Sequence, residues 1–556
     1  MRLSLRVLLL LVFFGLALSS ATGDSPTMDE QNHIGRGLAF LRTGDPRLSV
    51  EHPPLVNALS ALPLLTERVD LPLSDWSWEA GEWYRFSDLV LWQLAPDPER
   101  MVFLARVPII LLATLLGALL FRATRHWSGP AAGTLALALY VLDPNLMAHA
   151  RYATTDLGAA AFGFLAGVAL WWAAEREYRW GPAALAGAAF GLALGAKLST
   201  AVLGVPFGLL ALIDLGLRRR GDWRRLAGQA LRLGVAYPLT ALVVLWALYG
   251  FDVGPVEGIG AAVPMPLFWR GVTTMLDFSG GGRPSFLLGH FSTEGFRAYF
   301  PVALAVKTPL AFLLLLLWAA VRFVVVPWRD LGARAWARIR TPLFLLLVPA
   351  VYFVASLQSA LNLGYRHLLP MLPFLFAFVA GQLGALVRPG SVLTRRTLVP
   401  GVAIFLSAGW LAVANRAIYP HYVSYFNEIV GPANGYRVLV DSNIDWGQDL
   451  KRLKAWMDEA GVERVKLAWF GSAPPEAYGI VYDPLPGMPH HFDLWESPPF
   501  DPAAPEPGVY AISASILEEL HRRDEDKTVF TWFRQREPDD RVGYSILIYR
   551  VVAGGG

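Results

Sequence analysis

Cysteine is absent from the 556 residues, so the chain has neither disulfides nor thiolate metal sites. Charge is scarce as well: 17% of residues are charged, against about 25% in soluble globular proteins. That is too little polar surface to cover a soluble fold of this length. Lysine is the scarcest of the charged residues, with six in the chain, so arginine carries nearly all the positive charge. The net charge of +3 is small and the arginines fall in short clusters between apolar runs, which excludes a nucleic-acid partner. No internal repeat or low-complexity tract is visible, and the closing Gly554–Gly556 reads as a frayed end.

What fills the chain instead is apolar sequence, 54% of the residues. Runs of roughly 20 residues, the length that crosses a hydrocarbon core of about 30 Å, recur along it. The first, Leu3 to Leu18, follows Arg2 and Arg6 and ends near Ser19-Ser20-Ala21, a pattern that also fits a cleaved signal peptide. Further spans are expected near 102–121, 130–148, 157–174, 182–196, 200–217, 229–250, 302–324, 341–357, 367–386 and 398–416. In lipid these must be helices, because their backbone groups have no water to bond. The expected fold is an all-α polytopic membrane protein of about eleven spans with a C-terminal soluble α/β domain.

Placing the N-terminus inside puts Arg122 and Arg125, Arg176 and Arg179, Arg218 to Arg225, Arg329 to Arg340 and Arg388 to Arg396 on the cytoplasmic side. The positive-inside rule is then met at every loop that tests it. This requires splitting 182–217 into a hairpin at Lys197, at the outer surface. Three external segments follow: 21–100, 251–300 and the tail from 418. Residues 1–420 form the expected membrane domain and 421–556 an extracytoplasmic one. The tail mixes strand-like runs (Arg437–Val440, Val465–Phe470, Val509–Ile512, Tyr544–Val551) with a polar helix, Gln448–Ala460.

Polar clusters stand on that outer face. The first segment carries Asp29-Glu30-Gln31-Asn32-His33 and then Glu51-His52-Pro53-Pro54-Leu55. Arg151-Tyr152-Ala153-Thr154-Thr155-Asp156 follows the third span, and Gly364-Tyr365-Arg366-His367-Leu368-Leu369-Pro370 precedes the tenth. In order and spacing they resemble the motifs of protein O-mannosyltransferases, and the Arg-His-Leu-Leu-Pro run resembles one shared with the aminoarabinose transferases that act on lipid A. The resemblance runs from the N-terminus to about residue 420 and implies the membrane glycosyltransferase fold called GT-C. It also implies a polyprenyl- or dolichyl-phosphate sugar donor, an extracytoplasmic site, inversion at the anomeric carbon and, as a rule, no metal. By the same resemblance Asp29 is the main catalytic carboxylate, assisted by Glu30 and Asp156.

The chemistry asks for the same residue types. Glycosyl transfer needs a base for the acceptor hydroxyl, which a carboxylate at the membrane boundary supplies, and cations for the leaving phosphate. Arg366 is the first candidate, since guanidinium meets phosphate in a bidentate fashion. Lys197, Lys307 and His367 follow, and His33, His52 and Arg151 complete the expected substrate-binding set. Plainer readings stand beside these. Asp29 and Glu30 fit the start of a helix, His52-Pro53-Pro54 a turn, and Asp156 a helix cap with Arg151 as its ion-pair partner. Arg366 fits an interfacial anchor, and the two lysines snorkelling side chains.

A divalent metal is a further alternative, held by Asp29, Glu30, Asp156, His33 and His52. The related oligosaccharyltransferases need one but carry a Trp-Trp-Asp signature, whereas Trp171-Trp172 here is followed by Ala. In the tail, Asp441 to Asp449 has alternating Asp and Asn but places Trp446 and Arg452 where a calcium loop needs Gly and Glu, so that reading fails. A strand-to-helix turn or acceptor recognition by exposed aromatics such as Trp446 and Trp469 remains. The expected activity is transfer of a sugar from a polyprenyl phosphate to a lipid, glycan or protein hydroxyl, in a bacterial inner membrane, among membrane lipids. A flippase for lipid-linked sugars and a non-catalytic envelope assembly protein are the rival classes.

Overall fold

A computed structural model describes residues 4–217, 223–256, 259–325, 333–384, 386, 395–486, 500–520 and 527–552. Parts of three expected inner arginine clusters (218–222, 329–332 and 388–394) and the closing 554–556 lie outside the described residues. Among the described residues seven helices are long and apolar enough to cross a bilayer. The pair Tyr299–Lys307 and Leu310–Val325, bent by 109°, makes an eighth if taken as one span. Every expected span falls on helical sequence, but 302–324 is broken into the bent pair, and three others fall on shorter helices: Leu5–Ala21, Pro130–Leu142 and Trp180–Ala196. The chain is an integral membrane protein.

The helices pack as their compositions dictate. Thr155–Glu175 and Tyr365–Gly384 are apolar on all sides and occupy the centre of the bundle. Trp180–Ala196 is built largely of Gly and Ala, and it lies against Trp223–Leu248 with almost no side chain between the backbones. A Cβ on Gly187 would stand 2.1 Å from the Tyr237 carbonyl oxygen, and one on Gly191 2.5 Å from that of Ala241. Small residues thus set this spacing, as they do where lipid leaves packing as the main attraction between helices.

The break at Lys197 is real. The helix ends at Ala196, Lys197 is extended, and a 3-10 turn Leu198–Leu203 leads into Gly204–Leu217. A second break follows Lys307, where Pro309 disfavours helical geometry at the residue before it. The elbow is held from the tail. Asn427 Nδ2 donates to the carbonyls of Ala305 (2.6 Å) and Thr308 (2.9 Å). The Lys307 ammonium donates to those of Val423 (2.8 Å) and Asn443 (2.6 Å) and lies over the Phe426 ring.

The C-terminal region holds a five-stranded sheet in the order Tyr482–Pro484, Val465–Ala468, Gly508–Ser513, Ile546–Val551, Asp540–Val542. The first three strands run parallel and the last two join antiparallel. Helix Leu450–Ala460 covers the sheet with Leu450, Leu453 and Met457. Three of the four expected strands are present. The fourth, Arg437–Val440, is not a strand: a 3-10 turn Pro432–Arg437 precedes it, and Val440 packs with Phe286 and Leu520 instead. Its alternation reflects burial in a connecting segment, which periodicity does not distinguish from a sheet.

Candidate active site

The segment before Asp29 is fastened to the C-terminal region. Ser25 Oγ donates to the Gly447 carbonyl (2.8 Å), and the Met28 amide donates to that of Trp446 (2.8 Å). The Arg452 guanidinium meets the Asp24 carboxylate at 2.5 Å. Helix Glu30–Thr43 begins immediately after, with Asp29 as the residue preceding its first turn. The helix-start reading of Asp29 therefore holds, and because its side chain makes no capping bond it is left for other partners.

Asp29 and its neighbour point to different places. The Asp29 side chain is 32% exposed and takes one bond from Arg366 Nη1 at 2.8 Å. Glu30 is fully buried. Its carboxylate accepts from the Thr27 amide (2.8 Å), the Ala153 amide (2.9 Å), and Arg106 Nε and Nη2 (2.8 and 2.7 Å). With every oxygen engaged, Glu30 anchors the loop and presents no free edge to a substrate. Arg106 also donates to the carbonyls of Ala21, Asp24 and Ser25. Sequence reading passed over this clamp, although an arginine within an apolar run is itself a signal.

Asp156 lies in the first turn of Thr155–Glu175. One of its oxygens meets Lys197 Nζ at 2.5 Å and the other lies 3.5 Å from Arg366 Nη1. The cap reading is not met: Thr154 stands at the N-cap, Asp156 lies two residues inside the helix, and its partners are Lys197 and Arg366 rather than Arg151. Arg151 turns away and pairs with Asp24 at 2.6 Å, fully buried, with a further bond to the Ser20 carbonyl. Both Arg151 and Arg106 therefore tie the end of the first helix to the loop. Lys307 is likewise committed to backbone carbonyls at the elbow, away from the Asp29–Arg366–Asp156 group.

Two imidazoles line the same group. His33 and His52 meet edge to face with ring centroids 4.9 Å apart. His33 Nδ1 lies 2.9 Å from Asn57 Oδ1, and His52 Nδ1 lies 3.5 Å from the Thr155 hydroxyl. Burial pushes His33 down to about 4, against the opposing pull of Asp29, and pushes His52 well below the usual range. Both are neutral at pH 7. With the Asn57 oxygen accepting, Nδ1 of His33 carries the proton and its Nε2 is left as an acceptor. The turn at His52-Pro53-Pro54 also exists, since helix Pro54–Ala61 starts there; the turn is what aims His52.

Arg366 occupies the centre. It opens a 3-10 turn, Tyr365–Met371, at the head of the most buried span. Its guanidinium lies 4.3 Å from the Trp446 ring centroid, and its buried Nε has no hydrogen-bond partner among the described residues. His367 stacks against Phe300 with centroids 6.3 Å apart. Trp446 and Trp469, expected as exposed aromatics, are both buried, because one closes over Arg366 and the other fills the core beneath helix 450–460. Asp441 is a carboxylate the sequence reading did not assign to the site. It stands in the left-handed region (φ 57°) with its amide bonded to the Ser515 hydroxyl. Burial pushes its carboxyl up to about 6, opposed by the Arg366 charge.

The outcome is a cluster in which Arg366 and Lys197 are balanced by Asp29 and Asp156. Such a cluster offers two cations to an anion, and Asp29 is its partly exposed carboxylate. Among the described residues no three His, Asp or Glu side chains converge as a metal-ligating set.

No curated protein matches the chain in a comparison of sequences. The structure is similar to ArnT from Cupriavidus metallidurans bound to undecaprenyl phosphate, at 14% identity and a TM-score of 0.44 over 99% of this chain and 98% of that one. It is similar to the apo oligosaccharyltransferase of Archaeoglobus fulgidus, at 14% identity and a TM-score of 0.44, over 87% of this chain and 65% of that one. Residues 91–252, which include Arg151, Asp156 and Lys197, match the family model described as dolichyl-phosphate-mannose-protein mannosyltransferase, so in that stretch the resemblance read from the motifs is borne out.

Proposed function

We propose that this protein is a glycosyltransferase that moves a sugar from a polyprenyl-phosphate donor to an acceptor hydroxyl on the extracytoplasmic face of the membrane, with inversion and without a required metal. The observation that carries this reading is Arg366 held between Asp29 and Asp156, with Lys197 on the second oxygen of Asp156. The family match over residues 91–252 supports the donor class.

In the reaction, the acceptor oxygen bonds to the anomeric carbon as that carbon's bond to the phosphate oxygen breaks. The electron pair leaves with the phosphate, and the acceptor's proton passes to Asp29. Arg366 and Lys197 hold the developing phosphate charge; Arg366 suits this because its planar fork meets two oxygens at once. Asp156 keeps both cations in position before the donor arrives. His33 and His52, neutral, offer hydrogen bonds to sugar hydroxyls without adding charge.

The test is transfer by purified protein in lipid, given a panel of radiolabelled polyprenyl-phosphate sugars, with and without chelator. Turnover or slow hydrolysis of one donor, lost in Asp29→Asn and indifferent to chelator, is the expected result. Binding without turnover for every donor, unchanged in Asp29→Asn, would overturn the reading in favour of a transporter.

A further inference from the structure

At the end of the bundle opposite the Asp29 cluster, an open crevice of about 800 Å³ lies between the helix Leu5–Ala21 and the far end of Pro98–Ser128. Its polar lining is Ser4, Arg6, Arg122, Arg125 and His126, while Val7, Leu10 and Leu137 form an apolar wall. The helix rises by about 40 Å between Pro98 and Arg125, close to the roughly 40–45 Å that separates one headgroup layer from the other. A second crevice of about 350 Å³ on the other side of the same helix end shares Arg122 and is lined by Trp127, Trp171 and Trp172. Tryptophans gather at the headgroup level of a bilayer, so the arginines lie there too.

Three cations at this end have counter-charges: Arg225 pairs with Glu177, Arg340 with Asp214, and His126 with Glu175. Arg6 lies over the Phe121 ring. Arg122 and Arg125, like Arg176 and Arg179, take part in no side-chain hydrogen bond or ion pair among the described residues, and of these four only Arg122 and Arg125 line the larger crevice. Two guanidinium groups without a counter-charge among the described residues, at the mouth of a cleft with an apolar wall, suit a ligand that is anionic at one end and aliphatic at the other.

We infer that this crevice is a binding site for a phosphate head group carried on an apolar chain, with Arg122 and Arg125 on the phosphate and the chain along Val7, Leu10 and Leu137. The inference does not depend on the transfer reaction proposed above, whose groups lie at the other end of the bundle.

Binding is read by titrating the full-length protein in phosphatidylcholine nanodiscs with phosphatidylglycerol, undecaprenyl phosphate or inorganic phosphate. Each arginine near a lipid surface contributes about 1 kcal/mol to binding an anionic lipid, so the double variant Arg122→Gln/Arg125→Gln is expected to bind the preferred lipid roughly 10- to 30-fold more weakly. Its melting temperature in neutral lipid should match that of the unaltered protein. Tighter binding of phosphatidylglycerol or of undecaprenyl phosphate identifies the source of the phosphate. Equal binding of inorganic phosphate, or equal lipid affinity in the variant, would overturn the inference. A photoreactive anionic lipid provides a reading on the unaltered protein: cross-links within residues 4–10 or 118–137 support the site, and cross-links confined elsewhere refute it.

Discussion

Asp29 and Glu30 are consecutive carboxylates with opposite surroundings, and substitution separates them. Asp29→Asn keeps the bond length to Arg366 but removes the base, so transfer should fall by about 10²- to 10⁴-fold, the usual contribution of a positioned proton acceptor. The melting temperature should change little. Glu30→Gln should do the reverse. It leaves the Arg106 guanidinium buried without its counter-charge, which costs about 3–5 kcal/mol, and thermal unfolding will show the loss whether or not transfer is affected. Arg366→Lys replaces a fork by a point charge and should weaken the donor interaction roughly 10- to 100-fold, read as a rise in KM. The paired imidazoles predict an acid limit. The folded pKa of His33 is depressed to about 4 from an ordinary 6.5, so between those values the unfolded chain binds more protons. Stability is whole above pH 6.5 and declines as pH falls toward 4. The effect is about 3 kcal/mol at most for His33, and His52 adds to it in the same direction. Replacing His33 with Gln should flatten this part of a stability–pH profile.

At the scale of elements, two breaks do most of the positioning. Ending one helix at Ala196 lets Lys197 reach Asp156. The bend at Thr308-Pro309 brings Lys307 under the carbonyls of Val423 and Asn443, and Asn443 in turn accepts the Tyr365 amide next to Arg366 (3.0 Å). The elbow is thus connected to the site through Asn443, whose carbonyl accepts from Lys307 and whose side-chain oxygen accepts from the Tyr365 amide. Lys307→Met should cost about 1–3 kcal/mol by leaving buried carbonyls unpaired. Any fall in transfer should scale with the lost structure and leave the pH profile of turnover unchanged, whereas a phosphate-binding lysine would alter donor KM directly.

At the scale of the whole molecule, the C-terminal region is part of the site's wall. Trp446 covers Arg366, Asp441 lies beside it, and the amide of Met28 is bonded to the Trp446 carbonyl. Trp446→Ala should therefore impair transfer through an uncovered Arg366. Trp469→Ala, deep in the separate core under helix 450–460, should cost about 3–5 kcal/mol and act through stability alone, which melting and transfer measurements on the two variants will distinguish.

Much of this was decided by the sequence alone. The membrane class follows from the scarcity of charge and the recurrent apolar runs, and the position of each helix follows from where those runs begin and end. The motifs placed Asp29, His33, His52, Asp156 and Arg366, and the split of 182–217 placed Lys197, at one end of the helices, because span parity fixes the end of a helix at which a residue emerges. Partnership was beyond that reach. Nothing local tells Arg151 to pair with Asp24 rather than Asp156, turns Glu30 inward to Arg106, assigns Lys307 to carbonyls more than a hundred residues away, or buries Trp446 over Arg366. Those choices depend on which side chain fills which gap once the C-terminal region has docked on residues 24–28, and such contacts have no period for a sequence to carry. The tertiary structure alone selected, from a set of plausible charges, the few that face one another.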